Sequence, residues 1–383
     1  MRLLYVCLDQ GIPLGAPKGA AVHVEETLRA LAADGHATAV LAHSTTDGHA
    51  PSCPTYLAPS PPERVSAPAQ PLRLALRRAI EGFQPDVLYE RYALFRVEGR
   101  RESGAAGIPL VLEVNAPLVE ETERFRGLRL GSAAVEAERY AWTMADLVVT
   151  PSEQLAERIR SAGQERVLVV PNAVDPVRFD PSDDGATVRR RLRLVDRFVV
   201  AWAGRLKQWH DPDILVDAVA RLPKRLRPAL LLIGDGPERA GVERRATERG
   251  VAIVTTGAVS RRRVPELLAV ADACVATLAA DPSLHYFSPL KALEYLAAGR
   301  ATVVAKAGAL TGLAEAGAAL GYRPGDPVDL AARLEAVAGD AALRRRVARR
   351  GRSYAESRTW RAAARAVVAA TEALRPRFQP DVF

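Results

Sequence analysis

Residues Tyr286-Phe287-Ser288-Pro289-Leu290-Lys291-Ala292-Leu293-Glu294-Tyr295-Leu296-Ala297-Ala298-Gly299-Arg300 run directly into Ala301-Thr302-Val303-Val304-Ala305. The stretch reads as a loop, a helix entered at Pro289 and left at Gly299, then a short apolar strand. Proline suits a first helical turn, where the amide it lacks would have no partner, and glycine suits the left-handed exit. Amides at that helix start, with Lys291 beside them, form a seat for an anion such as a diphosphate. Ser288, Pro289, Leu290 and Lys291 are therefore candidate binding positions. Glu294 follows about one turn later, where a carboxylate accepts hydrogen bonds from ribose hydroxyls. Together these features describe a nucleotide site.

The same alternation extends along the chain. Strand candidates are Leu3–Leu8, Thr38–Leu41, Val87–Tyr89, Leu110–Val114, Leu147–Thr150 and Val167–Val170, then Phe198–Trp202, Ala229–Ile233, Ala252–Thr255, Ala273–Thr277 and Thr302–Ala305. Helical patterns lie between them, among them Val22–Ala33, Arg73–Glu81, Ser132–Met144, Ser152–Ala162, Pro212–Arg221 and Pro237–Arg249. Alternation of this kind predicts α/β architecture, with parallel sheets covered by helices. The series breaks at Val170-Pro171-Asn172-Ala173-Val174-Asp175-Pro176, a connector near mid-chain. Two Rossmann-like domains are expected, the first ending at residue 172 and the second starting at 173, with ligand in the crevice facing both. Ala50–Pro71 and Ala116–Gly131 read as loops, and only helices are expected after Asp326.

At 383 residues the chain suits two cores rather than one. Hydrophobic residues make up 48% and mean hydropathy is -0.04, with no apolar run near the ~20 residues a membrane helix needs. The start at Met1 leads straight into a strand pattern, so no signal peptide is expected. Cys7, Cys53 and Cys274 lack metal or disulfide spacing, which favours a reducing cytoplasmic setting. The net charge of +8 is almost wholly arginine, since lysine stands only at 18, 207, 224, 291 and 306. A basic chain suits an anionic partner, but no nucleic-acid signature accompanies the charge. The arginines of Leu343–Arg365 read as solvated helix faces.

Other candidates sit at strand ends. Gly11–Ala21 is a glycine-bearing turn before a helix, but it is not GxGxxG and no acidic residue follows for an adenosine ribose, which disfavours a nicotinamide enzyme. His23 on the first turn of that helix either faces ligand, as an acceptor contact, or packs. Glu113, at a strand's carboxyl end, either binds or acts on acceptor hydroxyls or pairs with an arginine. In Ala203-Gly204-Arg205-Leu206-Lys207-Gln208-Trp209-His210, Arg205 offers a bidentate fork to a diphosphate.

These motifs, in this order, resemble the family 4 glycosyltransferases, retaining enzymes of GT-B fold. The resemblance covers nearly the whole chain, through Pro171–Asp175, Gly204-Arg205, Gly234-Asp235-Gly236 and Ser288–Gly299 to Trp360, and it implies that the last helix, residues 360–383, returns to the first domain, leaving 173–359 as the second. It implies that Gly19 lies near the donor diphosphate or the acceptor, and that Gly234 lies near the nucleotide. It implies that the backbone of Thr256–Val259 meets the nucleobase. It places Asn115 where a histidine commonly touches the transferred sugar, and asparagine cannot act there as acid or base. His210 stands where a diphosphate-binding lysine usually falls; Lys207 is favoured for the charge and His210 for hydrogen bonding. Glu294 matches the second of two family glutamates, while Tyr286 occupies the place of the first, whose contact is the transferred sugar.

The resemblance implies transfer of a sugar, with retention, from a nucleoside diphosphate, by default uridine, to an acceptor hydroxyl or other nucleophile. Arg205, Lys207 and Glu113 are the catalytic candidates. Arg205, Lys207 or His210, and the amides of Ser288, Leu290 and Lys291 would stabilise the leaving oxygens, so neither metal nor cofactor is expected. No carboxylate nucleophile is evident, which favours front-face attack. The expected partners are the donor and a small-molecule or glycan acceptor; nucleic acid is not expected, and membrane contact stays open with no clear amphipathic basic helix to support it. A sugar-nucleotide epimerase and a non-catalytic sugar-nucleotide binding protein are the alternatives.

Overall fold

The structure, a computed structural model, describes all residues except 17, 60–68, 128–130, 181–184, 285, 287, 289 and 375–383. It divides into two compact units, one formed by Met1–Pro171 with the segment from Trp360, the other by Asn172–Thr359.

The first unit is built on seven parallel strands: β1 (Arg2–Cys7), β2 (Ala37–Ala42), β3 (Thr55–Leu57), β4 (Val87–Arg91), β5 (Leu110–Glu113), β6 (Leu147–Thr150) and β7 (Val167–Val169). Their order is β3-β2-β1-β4-β5-β6-β7. β4, β5 and β6 are buried along their whole length in a sheet covered on both faces, each opening as an apolar run and closing on buried polar residues, Glu90 and Arg91, Glu113 and Thr150. Strand order reverses between β1 and β4, the place where open α/β sheets hold ligands beyond their carboxyl ends. Helix Trp360–Glu372 packs on helix Gly19–Ala33, and Arg361 and Arg365 both bond Asp34 at the latter's C-cap.

The second unit carries β8 (Val199–Ala203), β9 (Ala229–Ile233), β10 (Ala252–Thr255), β11 (Ala273–Ala276), β12 (Ala301–Ala305) and β13 (Leu320–Tyr322). The order is β10-β9-β8-β11-β12-β13, all parallel, with the reversal between β8 and β11. Its core is mostly aliphatic, with the rings of Phe179, Phe198, Trp202, Tyr295 and Tyr322 among it. Helices Pro327–Gly339 and Ala341–Glu356 follow, both capped by aspartates: Asp326 accepts from Val328 and Asp329, and Asp340 from Ala342 and Leu343. Arg352 is not a solvated charge. Its Nη1 donates to the carbonyls of Pro176 and Phe179 at 2.9 Å and to that of Ala297, at the end of helix Leu290–Ala297.

Both expected loops contain regular elements, though 60–68 of the first and 128–130 of the second lie outside the described residues. Ala50–Pro71 includes β3, whose three residues pair with Val40–Ala42 and are too few to show a period, and its last residues lie in helix Ala69–Phe83. Ala116–Gly131 contains helix Leu118–Arg126, with Glu120 and Glu121 in its first turn and Gly127 in the left-handed region (φ 64°) at its end. The alternation also missed β13, helix Glu98–Ala106 and the short helices Val264–Ala269 and Ala309–Glu315.

Candidate active site

The turn after β8 is held from two directions. Ala203 N donates to the Tyr295 hydroxyl at 2.6 Å, and that hydroxyl lies 3.2 Å from Ala203 O, which fastens helix Leu290–Ala297 to the end of β8. Gly204 N bonds Ile233 O and Leu206 N bonds Asp235 O, both at 2.9 Å. Between them Arg205 is exposed, and among the described residues it has no hydrogen bond or ion pair. Gly234 (φ 135°) makes this turn possible: a Cβ there would fall 2.0 Å from Gly204 O, and one at Gly236 2.1 Å from Leu206 O.

Lys291 enters the same turn from the helix. Its Nζ lies 3.9 Å from the centroid of the Trp202 ring and 3.5 Å from where a Cβ on Gly204 would stand. The ammonium is shielded from solvent and has no hydrogen-bond partner among the described residues. Burial pushes it down to about 7, against the pull of Glu294. His210 ends a single 3-10 turn, Gln208–His210, its ring edge-on to Trp202 at 5.7 Å. Burial, then Lys291 and Lys207, hold His210 well below the ordinary imidazole range, and its Nδ1 is buried and unpartnered. Lys207 Nζ lies 5.1 Å from the Trp209 ring centroid. Ser288, just before the helix, is tied to Asn172, whose backbone N donates to Ser288 Oγ at 3.3 Å and whose Nδ2 donates to Ser288 O. Tyr286 is buried, with 2% of its surface exposed, and Pro289 lies outside the described residues. Arg239 reaches from helix Arg239–Arg249 to Thr255 Oγ1 (3.1 Å), beside Gly257.

In the first unit, Glu113 is buried with both oxygens engaged. Tyr5 Oη donates to Oε2 at 2.9 Å, Arg91 Nη1 lies 2.5 Å from Oε1, and Asn115 Nδ2 donates to Oε1. His23 Nδ1 stands 3.4 Å from the same oxygen. Burial opposes ionisation of this carboxyl, but His23, Arg91 and the Asn115 and Tyr5 hydrogen bonds outweigh it and hold it below the usual carboxylate range. Because a carboxylate only accepts, Asn115 must turn its Nδ2 toward Glu113 and keep Oδ1 as its outward acceptor. Burial lowers His23, whose ring meets Trp360 edge-on at 5.1 Å. His23, Asn115, Glu113, Thr150 and Trp360 line one small pocket. Gly19 opens its helix at an exposed position; the preceding loop is fixed by Lys18 Nζ to Gly11 O (2.8 Å) and Gly15 N to Glu25 Oε1 (2.6 Å).

The structure thus gathers Gly204–His210, Gly234, Ser288, Leu290, Lys291 and Glu294 in the second unit, and Gly19, His23, Glu113 and Asn115 in the first. Trp202, Tyr295, Asn172 and Arg91 complete these clusters without having been singled out by sequence. Arg91 carried no sequence signal, because it and Glu113 become register partners only when β4 and β5 pair. Among the described residues no helix is long and apolar enough to cross a membrane.

Residues 17–178 match the family described as Glycosyltransferase Family 4, and residues 197–340 match Glycosyl transferases group 1. A GDP-mannose-dependent alpha-(1-6)-phosphatidylinositol dimannoside mannosyltransferase of Mycobacterium tuberculosis is 33% identical over 59% of this chain; the match spans 58% of that protein's length. A D-inositol 3-phosphate glycosyltransferase of Stackebrandtia nassauensis is 29% identical over 90% of this chain and 84% of its own. Among solved structures, Anabaena HepE in complex with UDP and glucose superposes with a TM-score of 0.77 at 20% identity, over 97% of this chain and all of that one. Two parallel Rossmann-like sheets with these counterparts define the GT-B fold. The chain belongs to the family 4 glycosyltransferases.

Proposed function

We propose that this protein transfers a sugar from a nucleoside diphosphate to an acceptor hydroxyl with retention at the anomeric carbon. One observation carries the reading: the shielded Lys291 nitrogen has no hydrogen-bond acceptor among the described residues, at the turn where Arg205 stands with no ion pair among them. Such an arrangement is incomplete without an anion. The unit from Asn172 is read as the donor-binding half and the other as the acceptor half. As the glycosidic C–O bond breaks, the diphosphate gains charge. Arg205, Lys207, Lys291 and the amides of Ser288, Leu290 and Lys291 are the groups proposed to stabilise it, a role that requires no metal.

Glu113 is read as a positioning residue. Its oxygens are saturated by Tyr5, Arg91 and Asn115, and it orients Asn115 Oδ1 toward a substrate hydroxyl. The proposed attack is therefore front-face, with the departing phosphate accepting the acceptor's proton. Uridine is the proposed base, in keeping with the UDP found in HepE. Guanosine is the second reading, favoured by the GDP-mannose dependence named for the M. tuberculosis relative. The inositol groups in the relatives' names favour a polyhydroxylated acceptor.

The test is to incubate the protein with UDP- and GDP-sugars, with and without polyol acceptors, and follow nucleotide release and product. Acceptor-dependent release of UDP or GDP is expected. Isomerised donor without acceptor would establish an epimerase, and binding without consumption a non-catalytic protein.

A further inference from the structure

We propose that Lys291 supplies the cation that His210 cannot, and that it is charged by the donor itself, so that a nucleoside diphosphate sugar and a proton enter the site together. The inference rests on the donor reading above. Its basis is geometric. The Lys291 ammonium is shielded, lies over the Trp202 ring at 3.9 Å, and has no oxygen to bond among the described residues. The groups facing it are mostly cationic or neutral. Lys207 and His210 come from the turn after β8, with Arg205 exposed beside them. Strands β11 and β12, on which its helix packs, contribute no carboxylate, only the buried Cys274 thiol. Arg352, on the helix packed behind, is bonded at the opposite end. Glu294, one turn along, is the single carboxylate that counters burial.

His210 is wedged edge-on against Trp202 with an unpartnered buried Nδ1, so a charge on it would compete with Lys291 in the same small volume. One cation fits, and the more flexible amine, aimed at the Gly204 turn, is the better placed. In the empty site Lys291 titrates near 7. Two anionic phosphates at contact distance raise an amine by several units. Above neutral pH, donor binding therefore converts a neutral amine to an ammonium. Charge then appears where the diphosphate is, and is absent when the site is empty.

Calorimetric titration of the full chain with UDP-glucose or GDP-mannose, whichever binds, tests this. A diphosphodiester has no group of its own titrating near neutrality, so any proton taken up belongs to the protein. At pH 8, comparison of Tris with HEPES is expected to give uptake approaching one proton per donor. The affinity is expected to weaken roughly tenfold per unit between pH 8 and 9. Lys291→Gln abolishes both the uptake and the slope, Lys291→Arg binds with neither, and His210→Asn keeps both. Binding with no uptake in the natural protein, or uptake that persists in Lys291→Gln, overturns the inference while leaving the donor reading intact. Failure of every nucleotide sugar to bind defeats the donor reading instead.

Discussion

Arg91 and Glu113, paired in register at the ends of adjacent strands, face each other at 2.5 Å in the interior of the first unit. Glu113 is 2% exposed. A buried ion pair of this kind adds little beyond a packed apolar pair, but removing one member leaves an uncompensated charge and costs about 3–5 kcal/mol.

Glu113→Gln should therefore lower the melting temperature markedly, while Glu113→Gln with Arg91→Met recovers much of it. The double variant is the stable background in which to test catalysis. If Glu113 only positions Asn115, its pH–rate profile keeps both limbs and no glycosyl–enzyme ester forms. Loss of the acidic limb, or a trapped ester in the natural protein, would make Glu113 a reacting group.

Arg205 lies exposed and, among the described residues, has no partner to strand. Arg205→Ala is expected to leave the melting temperature unchanged and to reduce kcat by about 10²–10³-fold, as for other preorganised charge-stabilising donors. Acceptor KM should barely move. Equal losses in kcat and acceptor binding would discredit its role on the leaving group.

Asn172 fixes the loop before helix Leu290–Ala297 through Ser288. Asn172→Ala removes that tie and lets the helix start drift. Donor affinity should fall by roughly 5- to 30-fold, equivalent to about 1–2 kcal/mol. Titration with the donor reads it directly.

Glu90, at the end of β4, is pushed up to about 8 by burial and by Glu98, with Arg96 opposing. The folded state therefore holds a proton that the unfolded chain, with a carboxyl near ~4.3, has lost at neutral pH. The stability associated with that proton is complete below the unfolded value and is lost as pH rises toward 8. Glu90→Gln should raise the melting temperature at pH 9, by on the order of 5 kcal/mol in stability, and change nothing at pH 4. Equal melting temperatures at pH 9 would contradict the assignment.

Much of this fold is legible from apolar runs alone. β1, β8 and β9 are buried on both faces and announce themselves as apolar blocks, whereas β4 shows only its Val87-Leu88-Tyr89 start, its buried Glu90 and Arg91 breaking the run. β3 and β13 are not: three residues each, at sheet edges or entered late, they carry no period. The donor candidates could be read because phosphate chemistry demands glycine, cations and a helix start close in sequence. Trp202, Tyr295 and Asn172 could not, because each acts across the fold on a segment 75 to 116 residues away. For the same reason Glu113 showed as a carboxylate at a strand end, while its saturation by Tyr5, Arg91 and Asn115 emerges only when β1, β4 and β5 lie side by side.

The most direct test of the whole account is thermal unfolding of the protein against UDP, GDP and their sugars, beside Arg205→Ala and Lys291→Gln. The account predicts a saturable rise in melting temperature with at least one of these nucleotides, greatly weakened in both variants. No shift with any of them, or a shift that both variants retain in full, would contradict it.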